Sequence, residues 1–411
     1  LSAFARKSYF YPDTPRNFQI TQFENPLIRG GSITIDIDGI AKRFPIKEAH
    51  IEDDAGMLRH FTHFAGVDYN RAGAPLIEIV SEPCFHSAKE ASLYAMEVRA
   101  ILLYLDACDG NMEEGSLRID GNVSVRLKGE NILRPRAEIK NLNSFSFLEM
   151  AIESEITRQI ALYEKEPNRP HLELIPPGTY RWDPDAKQAI LMRAKESSDD
   201  YRYFPEPDLP PIFLTTSYID ELRSTLPELP RDRFKRYVSD LALNNQSAYV
   251  LTQEKKLSDY FEEANTICKS PKNLCNWMIV EFVGRLKDTG KKFVDLGISP
   301  KHLAAFIQMI DQGKITGPIA KQVADEMVAS PWKDPERIVK ENPNYQPLDD
   351  AETIEKFVDE VLAANQQSIL DFQAGKERAF GFLVGQVMKL TQGKASPSIV
   401  NSLLRQKLQK S

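Results

Sequence analysis

Residues 205–211, PEPDLPP, limit what this chain can fold into more than any other stretch. Proline fixes its own φ and has no amide hydrogen, so the run can neither lie inside a central strand nor continue a helix. It reads as a wall-hugging loop that closes a first domain. Before it, period-two alternation and helical spacing are mixed. After it, helical spacing dominates. The chain is therefore expected to be α+β, with a mixed first domain over 1–222, an all-α domain over 223–345 and a small all-α tail over 346–411.

Within the first part, SITIDID (32–38) alternates apolar and polar residues between glycines, as a half-buried strand does. Residues 88–105 are predicted helical, with Ser87 and Glu90 as a capping box and Leu93, Tyr94, Val98, Ile101, Leu102 and Leu105 recurring on one face. A strand is predicted over 117–127, and a second helix over 147–163 from the start Ser146-x-x-Glu149. Beyond the proline run, helices are predicted over 231–244, 254–268, 272–289 and 300–312. Another opens at Thr316-Gly317-Pro318 and runs to about 329. The stretch 331–350, with Pro331, Pro335, Pro343 and Pro347, reads as a linker, and two or three small helices follow it.

The chain is 42% hydrophobic and 27% charged, the profile of an ordinary globular protein. No stretch approaches the roughly 18–20 uninterrupted apolar residues of a membrane span. Cys84, Cys108, Cys268 and Cys275 form no C-x-x-C pair or zinc spacing and read as reduced thiols. His60 and His63, the only close histidine pair, read as a polar turn. The net charge of −7 argues against a general nucleic-acid binder. Residues 371–411, however, carry seven Lys/Arg against Asp371 and Glu377. That end fits either a nucleic-acid contact or a solvated helical surface.

Three places set carboxylates against local preference. Glu52-Asp53-Asp54 in HIEDDAG (50–56) is either a solvated loop or a cluster that needs cations to neutralise it. Glu78 sits in PLIEIV (75–80), whose two faces are both apolar. The strand is expected to be central and buried, which makes Glu78 a salt-bridged residue, with Arg71 the nearest candidate, or a metal ligand. In LRIDGNVSVRL (117–127), Arg118, Asp120, Asn122, Ser124 and Arg126 share one face, either the water-facing side of a sheet or the wall of a polar cavity. Together these suggest oxygen ligands for a hard divalent ion, with arginines facing phosphate oxygens.

The runs RKSYFYPD (6–13), HIEDDAG (50–56), DYNRAGAPLIEIVSEP (68–83), NMEEGSLRIDGNVSVR (111–126), AEIKNLNSF (137–145) and DYRYFPEPDL (200–209) closely resemble the B subunit of the tRNA-dependent amidotransferases. So does FLVGQVMKLTQGKASPSIVNSLL (382–404). The resemblance implies an antiparallel-sheet cradle like the glutamine-synthetase catalytic fold, then a helical domain and a small helical tail that bind tRNA. It implies that ATP, with Mg2+ or Mn2+, phosphorylates the side-chain carboxylate of Glu-tRNA(Gln) or Asp-tRNA(Asn). Ammonia from the A subunit, an amidase, then displaces the phosphate, and the small C subunit joins the two. The implied location is the bacterial cytoplasm, or an organellar matrix if a targeting segment precedes Leu1.

Carried over by motif, the metal carboxylates fall on Asp53, Glu78 and Asp120, with Asp53 standing where many relatives have Glu. Glu52, Arg118, Asp120 and Asn122 are implied at the reacting groups, and Lys140 and Arg202 at ATP. Lys7 and Arg16 match ammonia-channel positions. An arginine at 16 does not readily release a proton. The family usually opens with roughly seventy further residues. They include an E-V-H-V strand that adds to the metal site. The chain is accordingly expected to start inside the family's length. A second reading is a module that binds tRNA and partner subunits without chemistry of its own.

Overall fold

The computed structural model describes residues 1–194, 201–345, 348, 350–373 and 375–410. Asp200 of DYRYFPEPDL and Pro347 of the proline-rich stretch lie outside the described residues. The chain divides into two compact units, Leu1–Arg231 and Asp232–Ser411. The first mixes strands and helices and the second is helical, an α+β arrangement.

The first unit carries four small sheets among its described residues. In one, β1 (Ala5–Ser8) lies between β2 (Phe18–Thr21) and β13 (Phe204–Pro205). The bidentate bond from Arg6 to the buried Glu206, at 2.7 and 3.0 Å, ties β1 to the segment after β13. The second sheet is built on the fourteen-residue β5 (Ile40–Asp53). Its first half pairs with β4 (Ser32–Ile37) through a tight turn at Asp38 and Gly39, whose φ angles are 52° and 81°. Both are positive, the conformation for which Asp-Gly is suited in a two-residue hairpin. Its second half pairs with β8 (Pro75–Ser81) on one side and the short β3 (Ile28–Arg29) on the other. The pair β6 (Met57–His60) and β7 (Ala65–Asp68) stands apart.

The last sheet runs in the order β12 (Gln188–Ala194), β11 (Gly178–Asp183), β10 (Ala137–Lys140), β9 (Gly121–Val123). β10 and β11 are parallel, and a parallel pair needs a crossover. Here α2 (Phe145–Lys165), followed by the short α3 (His171–Leu174), provides it. α2 buries Leu148 and Ala151 against Val123, Ile139 and Trp182. α1 (Ala88–Tyr104) covers the β4–β5 hairpin, with Tyr94 on Ile35, Ile37 and Phe44. α4 (Thr216–Thr225) buries none of its residues.

Several expected boundaries move. Ser87 caps α1 as predicted, but Glu90 accepts the amide of His86 rather than closing the box on Ser87. α2 starts two residues earlier than predicted, because Ser144 supplies the capping oxygen for Phe147 N–H. The strand expected over 117–127 shrinks to Gly121–Val123. Beyond it, Val125 N–H bonds Gln159 and the Ser124 hydroxyl bonds the Arg134 carbonyl, so side chains replace the ladder. The strand holding Glu78 is not central: among the described residues β8 pairs only with β5. Ile77 is 40% exposed, so the second apolar face is uncovered.

In the second unit, α5 (Pro230–Ser239, reaching across the boundary), α6 (Asn245–Thr252), α7 (Lys255–Cys268), α8 (Pro271–Asn276), α9 (Val283–Arg285), α10 (Pro300–Asp311) and α11 (Gly317–Ala329) surround one core. Phe261, Trp277, Phe282 and Phe306 lie in it. The helix predicted over 272–289 passes through a π-helical turn at Trp277–Phe282, which keeps Trp277, Met278 and Phe282 all buried. The stretch read as a linker contains a helix, α12 (Pro335–Glu341). Asp334 caps it, and Ile338 and Val339 join the core, which offsets the proline penalty. Four tail helices form a second core rather than two or three. They are α13 (Ala351–Ala364), α14 (Gln366–Gln373), α15 (Glu377–Leu390) and α16 (Pro397–Lys410).

The fully buried Gln159 holds the two strand-end groups of β9, accepting from Val125 N–H and donating to Val123 C=O, both at 3.0 Å. Gln159→Leu strands both and is expected to cost about 1–3 kcal/mol in urea unfolding. Unchanged stability would mean the pair finds other partners.

Candidate active site

The geometry starts from the register of β5 against β8. His50 lies directly opposite Glu78 and Glu52 opposite Leu76. Side chains alternate along a strand, so His50, Glu52 and Glu78 share a face. His50 Nε2 is 3.2 Å from Glu78 and 3.6 Å from Glu52. One ligand atom from each of the three lies within 4.8 Å of the others. The His50 and Glu52 side chains are nearly buried, at 13% and 12% exposure, whereas Glu78 is 55% exposed. The group thus has a closed floor and one open side.

The acidic triplet resolves its own repulsion. Glu52 faces His50 and also accepts from the Thr21 hydroxyl. Asp53, on the opposite face of β5, is held by the Arg16 guanidinium and the Ile20 amide. Asp54 leaves the strand and is buried between Arg118 at 2.7 Å and Arg71 at 3.1 Å. Arg71 therefore serves Asp54, not Glu78 as the sequence suggested, and Glu78 takes His50 instead.

The β9–β10 register supplies a second polar face. Asn122 pairs with Glu138, while Ala137 and Ile139 turn into the core. Lys140 Nζ reaches Asp120 at 2.6 Å and Glu138 at 3.0 Å. Burial works against the Lys140 charge, but Asp120 and Glu138 outweigh it and hold its pKa above the ordinary value. A cleft of about 700 Å³ is lined by Lys7, Arg16, Asp53, Glu138, Lys140 and Tyr201, among others. The Lys7 ammonium sits 4.6 Å above the Tyr201 ring. Arg202 follows Tyr201, exposed and with a positive φ of 45°.

The structure thus gathers Glu52 and Glu78 in one group, and Lys7, Arg16, Asp53 and Lys140 around one cleft. Asp120 and Asn122 adjoin that cleft through Lys140 and Glu138. Arg118 is committed to Asp54, and Asp53 faces away from Glu78 toward Arg16. His50 is the site residue that motif reading passed over. Its signal was present in the alternation His50-Ile51-Glu52, which puts the imidazole and a carboxylate on one strand face.

Hydrogen bonds that the His50 imidazole donates to Glu52, the more buried acid, and to Glu78 push its pKa up from 6.5 to about 9 against the effect of burial. His50 in turn holds Glu78 below the usual carboxylate range, helped by the nearby charges of Lys7 and Lys140. One imidazole and two carboxylates are a donor set that also suits a divalent cation, with the open side left for water or phosphate oxygens. A raised folded-state pKa means the His50 contribution to stability is complete below about pH 6.5 and fades as pH climbs toward 9. In chelator, the His50 imidazole signal is expected to titrate near 9 by NMR and to move down toward 6.5 in Glu52→Gln. A wild-type midpoint near 6.5 would show that the ion pairs are not formed in solution.

The GatB/GatE catalytic domain profile matches residues 1–220, and the GatB domain profile matches residues 259–408. Similar proteins include the B subunit of an aspartyl/glutamyl-tRNA(Asn/Gln) amidotransferase from Protochlamydia amoebophila, 59% identical over 407 residues. That alignment covers 99% of this chain and 82% of the relative. Proteins of the same name from Chlamydia pneumoniae and Chlamydia trachomatis serovar D are 53% and 50% identical. They cover 100% and 98% of this chain, and 84% and 83% of the relatives. Among the described residues, no helix is long and apolar enough to cross a membrane.

Proposed function

Because the chain belongs to the GatB family, the B subunits of aspartyl/glutamyl-tRNA(Asn/Gln) amidotransferases, we propose that the Glu78 group and the adjoining cleft are where it activates the amino acid on tRNA. The chain is one subunit of an enzyme complex that amidates mischarged tRNA. ATP phosphorylates the side-chain carboxylate of Glu-tRNA(Gln) or Asp-tRNA(Asn), ammonia then attacks that carbon, and phosphate leaves as the amide forms. The observation that carries the site assignment is the convergence of His50, Glu52 and Glu78 in the part that matches the catalytic-domain profile.

A bound Mg2+ or Mn2+ supplies neutralising charge for the phosphate oxygens. Glu78 and Glu52 are the carboxylates we assign to contact with it. Asp53, turned onto Arg16, and Asp120, paired with Lys140, are the other two that the resemblance marks and act through the charge around it. Lys140, inside the cleft and firmly charged, is placed to bind ATP phosphate oxygens, and Arg202 joins it from the rim. Arg118 and Asn122 position the reacting carboxylate. Lys7 lies in the cleft against Tyr201, where it serves the ammonia path. Arg16 keeps its charge on Asp53 and orients that carboxylate, with no proton to pass on.

The fold reading is a glutamine-synthetase-like cradle over 1–222, a helical domain over 223–345 and a tRNA-binding tail over 346–411. The amidase (A) and small (C) subunits are the proposed partners, and the bacterial cytoplasm the proposed location. The alternative of a binding module without chemistry draws on the basic C-terminal helices, where Arg378 and Lys389 are exposed.

In the assembled complex, Glu78→Gln and Asp120→Asn are each expected to lower amidation by on the order of a hundredfold, the scale for losing one preorganised charge-stabilising group. tRNA binding should be unchanged. Amidation at the wild-type rate in both variants would refute the site. Arg378→Gln with Lys389→Gln is expected to reduce the salt dependence of tRNA binding by about one unit of slope per lost phosphate contact. An unaltered slope would move the RNA contact elsewhere.

A further inference from the structure

Two stretches that mix basic and aromatic residues, Arg6-Lys7-Ser8-Tyr9-Phe10-Tyr11 and Tyr201-Arg202-Tyr203-Phe204, are distant in sequence and adjacent in the fold. The β1–β13 pairing sets Arg6 against Phe204, and the Ser8 amide donates to the Tyr201 carbonyl at 2.8 Å. Their tyrosine rings join into one strip. Tyr11 stacks on Tyr9 with centroids 5.5 Å apart, Tyr9 meets Tyr201 at 6.4 Å, and Tyr201 meets Tyr203 at 6.1 Å. Phe23, just past β2, ends the strip, lying parallel to Tyr203 at 4.2 Å. The end rings are the most exposed of the five, Tyr11 at 45% and Phe23 at 56%. Aromatic surface left contiguous and open to water in this way marks a place where something binds.

The strip borders the candidate active site. Tyr9 and Tyr201 line the cleft together with Lys7 and Lys140. Nearer its other end, burial and the negative charges of Glu52 and Glu78 push the Tyr203 phenol up, so that ring stands beside the acidic group. Lys7 lies over Tyr201, and the exposed Arg202 falls between Tyr201 and Tyr203 in sequence, so cations are interleaved with the rings. Such a row suits single-stranded nucleic acid: every base has a face to stack, and the cations attract the phosphate backbone. The amino acid of an aminoacyl-tRNA is esterified to the last nucleotide of an unpaired 3′ end. Bringing its side chain to the Glu78 group therefore brings unpaired bases to the edge of the cleft. We propose that the strip is a stacking platform for that 3′ end, with the terminal adenine on Phe23 and the preceding bases running toward Tyr9 and Tyr11. This rests on the functional reading above, in which the amino acid is activated beside Glu78, and it adds the residues that position the tRNA end there.

The test uses the complete amidotransferase complex, without ATP, and a mischarged tRNA carrying 2-aminopurine in place of the terminal adenine. Binding is expected to quench the 2-aminopurine fluorescence as the base stacks. The quench should be lost in Phe23→Leu and kept in Phe23→Tyr, which retains a ring. Tyr11→Leu, at the far end, should raise the KM for mischarged tRNA about tenfold, with kcat and the KM for ATP unchanged. No quench in the wild-type complex, or one that survives Phe23→Leu, would overturn the inference. So would a rise in the KM for ATP alone, because the strip would then hold the adenine of the nucleotide. Failure of both leucine variants to assemble with the other subunits would overturn it too, because the rings would then be covered by a partner. Glu78→Gln separates the two claims, since it should lose amidation and keep the quench. Amidation at the wild-type rate in Glu78→Gln means the site reading itself fails. If Glu78→Gln loses amidation but the wild-type complex shows no quench, that reading survives and this inference alone is lost.

Discussion

The antiparallel register of β5 against β8 is the constraint on which the site depends. It places His50 opposite Glu78, and the two-residue repeat brings Glu52 to the same face. A slip of one residue would send Glu52 and His50 to the other side. The register is held from both ends of β5. The Asp38-Gly39 turn fixes the first half against β4. At the far end, Gln19 bonds the Asp53 carbonyl and the Ile20 amide bonds the Asp53 carboxylate, which lock β2 across the last residues of the strand.

Around that register the unit separates like charges by direction. Three consecutive acids would repel on one surface. Pleating gives each its own cation instead: His50 for Glu52, Arg16 for Asp53, and Arg71 with Arg118 for Asp54. The β9–β10 pair repeats the device, with Lys140 shared between Asp120 and Glu138. The result is a cleft of alternating charge beside an open carboxylate, an arrangement suited to ordering phosphate oxygens and a carboxylate substrate together.

Much of the architecture was legible from residue patterns, and the failures have physical causes. The proline run, the alternation of 32–37 and the cap Ser87 found their elements because each is a local signal. The burial of β8 was misjudged because an apolar run does not say whether a second strand covers it. The pattern of 117–127 reads as one strand, yet only Gly121–Val123 pairs, because Asp120 turns to Lys140 and, past Val123, the Gln159 side chain takes the Val125 amide. α12 was hidden by its prolines, which sit at N1 and just past the end, where helices tolerate them. In the site, acidic residues stood out by their charge. Their pairing did not, because Arg71 with Asp54 and His50 with Glu78 are set by cross-strand register and loop geometry. Motif likeness marked Asp53, Glu78 and Asp120 but not His50, which sits beside Glu52 and Glu78.

The most direct measurement is anomalous diffraction at the manganese edge from crystals soaked in Mn2+ with a non-hydrolysable ATP analogue. The account predicts an anomalous peak in contact with the carboxylates of Glu78 and Glu52, with the analogue's phosphates in the cleft beside Lys140. Manganese bound elsewhere, with Glu78 still paired to His50 and the cleft free of phosphate, would contradict it.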